Sequence, residues 1–289
     1  MPFAKYKNTP FLRYIVPIIP VGAKLAEGCK IKPENLGKIP GVRNPNGTWS
    51  GFGNFNRHIS TNAIMDAFAA FYKHEGYTET VGILGREFIC FDADTEYEAA
   101  IDIMRRNALF WLGETYERTR SNSKKFALIY RRRPNTPPIK KRRVSFAHAL
   151  YQDDVQALEI LGDGQQWLME GKHKSGVLYE WKDGVRPWEM DVDKIPEIDN
   201  AQLDACLKAI SAELALHFLL NPRAAAAANA PGMGQTTADR SPIGPEHPDR
   251  VEDLSLLAAL LEAVPCDCPE LEDRDEWIKF LTAVTGVRW

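Results

Sequence analysis

Cysteine is scarce in this chain and never suitably paired: five residues in 289, at positions 29, 90, 206, 266 and 268, with no Cys-x-x-Cys spacing. An odd count without a framework argues against a disulfide-stapled secreted domain and predicts reduced thiols in a cytoplasm. Cys266-Asp267-Cys268 is too tight and too solitary for a zinc site. Missing too is any apolar run near the roughly 18 residues that a membrane helix needs, so no membrane partner is expected. The N-terminus, Met1-Pro2-Phe3-Ala4-Lys5, lacks the charged and then apolar layout of a signal peptide. Nor does one sign of charge dominate. The formal net charge is −3, so any nucleic-acid binding has to come from a local patch.

What is present fits one medium domain with a sizeable core and a smaller second unit, at 44% hydrophobic and 26% charged residues. One stretch organises the rest: Phe88-Ile89-Cys90-Phe91-Asp92-Ala93-Asp94. On an extended strand alternate side chains share a face, so Asp92 and Asp94 point together while Phe91 and Ala93 turn away. Two carboxylates on a stiff strand suit hard cations such as Mg²⁺ or Mn²⁺ if a third acidic residue joins them. The alternative is an Asp-Ala-Asp turn capping the next helix.

Residues 11–21, with prolines at 17 and 20, read as an edge or irregular strand. Residues 22–56 are rich in Gly, Pro and Asn and read as a long ordered surface loop, in which Lys38 is expected to be solvated rather than bound to phosphate. Ser60-Thr61-Asn62 offers an N-cap for a helix over 63–72. Val81–Leu84 and Glu87–Phe91 read as a hairpin turning at Gly85-Arg86, and Thr95 with Glu98 has capping-box spacing for a helix buried along Ala100, Ile101, Met104, Ala108 and Trp111. Arg118, Arg120, Lys124 and Lys125 lie in a basic, hydroxyl-rich loop before the strand Phe126–Tyr130, a composition that suits a triphosphate or plain solvation.

The next 13 residues, 131–143, carry seven cations, Arg131, Arg132, Arg133, Lys140, Lys141, Arg142 and Arg143, among prolines that predict an extended, exposed segment. Nucleic-acid backbone contact is favoured for it. Three strands follow, over 156–161, 165–169 and 178–181, as an antiparallel meander turning at Gly162-Asp163-Gly164 and at 171–176. Glu159 inside the first is the candidate third metal ligand, with Arg118 or Arg120 as its alternative partner. His173 reads as exposed, either a phosphate contact or an ordinary surface histidine. Residues 200–221 read as a helix striped by Leu203, Cys206, Leu207, Ile210 and Leu214. Residues 223–250 read as a linker and 251–289 as a helical unit that docks back or begins something longer.

Taken together these residues resemble the primase-polymerase domain of phage and plasmid replication proteins, in the archaeo-eukaryotic primase superfamily. An apolar strand ending in Asp-x-Asp matches Phe88–Asp94, an acidic residue in an apolar strand matches Glu159, and Gly162-Asp163-Gly164-Gln165-Gln166, Gly171-x-His173 and Tyr179-Glu180-Trp181 resemble a segment of the phage branch. The family's Ser-then-His motif departs here: Arg120-Ser121-Asn122-Ser123-Lys124-Lys125 has a lysine where the histidine stands.

The resemblance implies an α+β fold, a mainly antiparallel sheet related to the RNA-recognition fold. It assigns a catalytic domain to 1–192, a helical extension to 193–222, and to 251–289 a helical segment of the kind that precedes a helicase. It implies a DNA primase-polymerase acting in replication. Asp92, Asp94 and Glu159 would hold two Mg²⁺ or Mn²⁺ ions, and Arg118, Arg120, Ser121, Lys124, Lys125, Gln165 and His173 would contact the nucleoside triphosphate. The strip 131–143 would grip single-stranded DNA template and primer. Two other readings stay open: a non-catalytic single-stranded-DNA-binding module that recruits a helicase, and a nucleotide-sugar transferase, against which the cationic strip argues.

Overall fold

The computed structural model describes residues 2–73 and 76–221 and is an α+β structure built around one large sheet. In chain order its elements are α1 (Pro2–Lys5), β1 (Ile15–Pro17), β2 (Gly41–Arg43), β3 (Trp49–Gly51), α2 (Asn62–Lys73), β4 (Val81–Leu84) and β5 (Phe88–Asp94). Then come α3 (Glu98–Leu112), β6 (Glu117–Arg120), β7 (Ser123–Arg132), β8 (Arg142–His148), β9 (Tyr151–Leu161) and β10 (Gln166–Glu170). The described part closes with β11 (Glu180–Trp181), β12 (Glu197–Ile198), α4 (Asn200–Leu214) and β13 (Leu219–Leu220). The linker and helical unit expected from 223 onward lie outside the described residues, and no helix among those described is long and apolar enough to cross a membrane.

The large sheet runs β11-β6-β7-β5-β9-β8-β13, with β12 added in parallel to the far end of β7. Alternation along β5 divides its side chains between two cores. Ile89, Phe91 and Ala93 pack with Phe126, Leu128, Leu158 and Ile160 under α3 and α4. Phe88 and Cys90 face the other way, beneath the N-terminal segment and a three-stranded sheet β1-β4-β10. There Phe88 packs on Phe11, ring centroids 4.6 Å apart, and Trp167 Nε1 donates to the Phe88 carbonyl at 3.0 Å. That cover stops before Asp92. The acids therefore occupy the positions of the same face that the small sheet leaves open.

Several local expectations change. β4 and β5 are not a hairpin, because the chain passes at Gly85 from the small sheet to the large one, and a Cβ there would lie 2.4 Å from the Gly162 carbonyl oxygen. The strands after β9 are not a meander for the same reason: β10 joins β4 and β11 joins β6. Gly162 marks that second crossing, where a Cβ would fall 2.1 Å from the Ile139 carbonyl oxygen. Residues 22–56 are not only surface loop, since β2 and β3 pair and Trp49 is fully buried. Tyr97, not Thr95, precedes α3, without a side-chain cap, and Glu98 reaches Lys124 Nζ at 2.5 Å instead of closing a capping box. At its far end Leu112 is buried while Trp111 is exposed, so the buried stripe continues through Leu112.

Residues 193–220 are part of the large sheet's own packing. α4, capped by Asp199 and Gln202, lays its expected stripe on the large sheet, but it ends at Leu214 and the chain returns as β13 to pair with β8.

Glu170, at the end of β10, lies beside the buried Tyr6 and near Glu79, and burial pushes its carboxyl up to about 7. A carboxyl raised on folding stabilises fully below its unfolded pKa, and that contribution is lost as pH rises through the folded one. Thermal melts of Glu170→Gln are expected to match the native chain near pH 4 and to exceed it above pH 7 by up to about 3 kcal/mol. An equal difference at both pH values would contradict this.

Candidate functional site

Five adjacent strands bring charged side chains to the open face of the large sheet. In the β5–β9 ladder Asp92 lies directly opposite Glu159, and Asp94 lies opposite Ala157. Residues so placed have Cβ atoms about 5 Å apart, so like charges there repel unless a cation joins them. On one side β6 and β7 place Arg118, Arg120 and Lys125 on the same face, and on the other β8 sets Arg143 opposite Glu159. The result is an acidic stripe between two basic flanks.

The acids are engaged from those flanks. Lys125 Nζ donates to Asp94 at 2.7 Å, while Arg143 and Lys141 reach Glu159 at 2.9 and 3.2 Å. Thus the expected partner of Glu159 in its alternative reading is corrected from Arg118 or Arg120 to Arg143 and Lys141. Asp92 has the Arg118 guanidinium 4.0 Å away. Burial, then the neighbouring Asp94 and Glu159, push the Asp92 carboxyl above its ordinary value against the opposing pull of Arg118. With Asp94 and Glu159 drawn aside, no group of three acidic, His or Cys side chains among the described residues converges with metal-ligating geometry. The donor set itself, three carboxylates on one rigid face, has the chemistry a hard divalent cation requires.

Asp92, Asp94, Glu159, Arg118, Arg120 and Lys125 line a cavity of about 430 Å³ together with Lys38, Gln166, His173, Lys174 and Tyr179. Arg118 is 8% exposed, donates to the Leu168 carbonyl and lies 4.6 Å over the Tyr179 ring. It is therefore a buried support for Asp92 more than a free phosphate contact. Arg120 Nη1 donates to His173 Nδ1 at 2.6 Å, and Ser175 Oγ lies 2.9 Å from the same nitrogen. Burial and the charges of Arg120, Lys38, Lys174 and Lys125 push His173 down to about 4, so at neutral pH it is an uncharged acceptor. An anion entering the cavity offsets those charges. Added inorganic triphosphate is expected to move the midpoint of the His173 ring-proton NMR titration from about 4 toward neutrality; a fixed midpoint would remove His173 from the anion site.

Asp92, Asp94, Glu159, Arg118, Arg120, Lys125 and His173 are thus brought together as expected. Three others are not. Ser121 sits in the exposed two-residue turn between β6 and β7, which form a hairpin and not the basic loop expected. Lys124, on the opposite face from Lys125, is held by Glu98. Gln165 lies in the crossing between sheets, where its carbonyl accepts from Gly85 N at 3.0 Å, and its neighbour Gln166 lines the cavity instead. Lys38 and Lys174 were not expected there. Their only sequence signal is a lysine in a glycine-rich loop, which solvated lysines share.

The cationic strip is largely exposed, as expected, but it is pinned at one residue and its charges are paired. Ile139 at its middle is fully buried, and all seven cations meet carboxylates. Arg131 pairs with Glu197 at 2.6 Å, Arg132 with Glu87 at 3.7 Å, Arg142 with Asp204 at 3.2 Å, Arg133 with Asp199, and Lys140 with Asp163. Lys141 and Arg143 share Glu159, and the side chains of Arg133, Lys140, Lys141, Arg142 and Arg143 stay at least a third exposed, so these are surface ion pairs. Neither any protein-family model nor any curated protein matches the chain.

Proposed function

We propose that the chain is a template-directed nucleotidyltransferase of the primase-polymerase kind, its sheet and helices forming that family's catalytic core. The observation that carries the reading is the alignment of Asp92, Asp94 and Glu159 on one sheet face, flanked in the same cavity by Arg120, Lys125, His173, Lys38 and Lys174. An acidic stripe beside a cationic pocket suits one ligand in particular, a triphosphate whose reacting phosphorus must sit next to a divalent cation.

In the reaction a primer or initiating 3′-hydroxyl attacks the α-phosphate, a new O–P bond forms, the α–β anhydride bond breaks and pyrophosphate leaves. Mg²⁺ or Mn²⁺ bound at the three carboxylates would supply Lewis-acid activation and charge neutralisation. Asp92 is the fixed ligand, since Arg118 and the strand hold it; Asp94 and Glu159 are the ones whose cations must let go. Arg120, Lys125, Lys38 and Lys174 neutralise the triphosphate. His173 orients Arg120 through its Nδ1.

The strip 131–143 supplies no step of this reading; a non-catalytic module that binds single-stranded DNA would rest on it instead, and the two readings part on metal-dependent product. Recruitment of a helicase through 251–289 concerns residues outside those described. The test is incorporation of labelled nucleotides on single-stranded DNA, with and without an annealed primer, in Mg²⁺ or Mn²⁺. Metal-dependent product supports the reading, and product without primer adds priming. No product in any lane contradicts it.

A further inference from the structure

Lys141 and Arg143 differ from the other cations of the strip in what holds them. The other five pair with carboxylates that do not line the acidic cavity. Lys141 and Arg143 pair with Glu159, a wall of that cavity, and both reach the same oxygen, Oε1, at 3.2 and 2.9 Å. Arg143 stands directly opposite Glu159 across the β8–β9 ladder, with its Nε donating to Ser145 Oγ at 2.9 Å. The pairing of β8 with β13 covers only Phe146 and Ala147, so this part of the strand edge is open. The two side chains are 44% and 49% exposed there, against 19% for Glu159, and can turn from the carboxylate to a ligand outside.

We propose that Lys141 and Arg143 are a metal-gated contact for the backbone of a single DNA strand: Glu159 holds them until it becomes a metal ligand, and they then pass to strand phosphates. The inference rests on the proposed reading of Asp92, Asp94 and Glu159 as a divalent-cation site. A carboxylate that shares its charge with a divalent ion attracts a neighbouring ammonium or guanidinium far less, because the ion's charge exceeds its own. Surface ion pairs are weak, so the exchange costs little and moves only two side chains. Two residues apart on an extended chain, Lys141 and Arg143 are spaced by about 6.6 Å, which suits successive phosphates of an extended strand. The coupling sets an order of events. The strand is gripped at this edge only where the acidic stripe is loaded.

Fluorescence anisotropy of a labelled oligothymidylate, at matched ionic strength in Mg²⁺ or in EDTA, reads the coupling without any turnover. Divalent cations compete with a protein for DNA phosphates, so an uncoupled chain binds more weakly in Mg²⁺. The native chain is expected instead to bind about tenfold more tightly in Mg²⁺. The slope of log affinity against log salt should steepen by about 1.4, the increment for two single-strand phosphate contacts. A protein carrying both Lys141→Ala and Arg143→Ala should match the native chain in EDTA and lose the gain. Glu159→Gln should bind tightly in EDTA with no further gain from Mg²⁺, and adding it to the double variant should change nothing. Equal or weaker binding by the native chain in Mg²⁺, or a gain that survives in the double variant, overturns the gate; Mn²⁺ binding in the same protein then leaves the metal site standing. Absence of Mn²⁺ binding by the native chain sinks the metal site and the gate together.

Discussion

Replacing Asp92 with asparagine is expected to raise the melting temperature of the chain while abolishing its metal-dependent nucleotide transfer. The two effects have one cause. Burial and the nearby Asp94 and Glu159 disfavour the ionised Asp92 carboxyl more than Arg118 favours it. A carboxyl whose pKa rises on folding weakens the folded state at every pH above that value, and asparagine removes the cost. The same substitution deletes a ligand from the centre of the acidic stripe, so activity should fall by more than about a hundredfold, the upper range for loss of a metal ligand's mere outer partner. Thermal melts at pH 7 and a primer-extension time course check both halves. An Asp92→Asn protein less stable than the native chain would show that Arg118 outweighs burial at this site; one with full activity would remove Asp92 from the chemistry.

Arg118→Ala is expected to be among the most destabilising single substitutions in the large sheet. The guanidinium is buried, donates to the Leu168 carbonyl, lies over Tyr179, and is the nearest cation to Asp92. Its removal leaves the buried Leu168 carbonyl without its donor, at about 1–3 kcal/mol, and takes the nearest cation from Asp92. In a chain of this size that corresponds to a fall in melting temperature of roughly 5 °C. Arg118→Lys should recover little, since an ammonium cannot both reach the carbonyl and stack on the ring. Chemical denaturation at pH 7 measures the loss. Recovery of full stability by lysine would mean that only the charge matters.

The acidic half of the site was legible in the sequence and the basic half only partly so. Phe88, Cys90, Asp92 and Asp94 share a strand face by the two-residue repeat, and Glu159 in an apolar strand has no cheap explanation other than a cation. Arg120, Lys125 and His173 could be nominated on charge, yet only the hairpin register separates Lys125 from Lys124. The pairing of strands was not legible. Gly85 and Gly162 look like turn glycines, but their Cα atoms pass against backbone of another segment, a constraint set by distant parts of the chain. The ion pairs of the strip 131–143 were not legible for a similar reason. Most of its counterions come from 193–204, some 60 residues away, and nothing in a local run of arginines announces them.

One measurement tests the central claim, that Asp92, Asp94 and Glu159 form a divalent-cation site. It is a Mn²⁺ titration of the native chain and of Asp92→Asn, followed by the electron paramagnetic resonance signal of free Mn²⁺. The native chain is expected to bind Mn²⁺ at submillimolar concentration, with Asp92→Asn losing that binding while remaining folded. Binding that is absent from the native chain, or equally strong in the variant, would contradict the site.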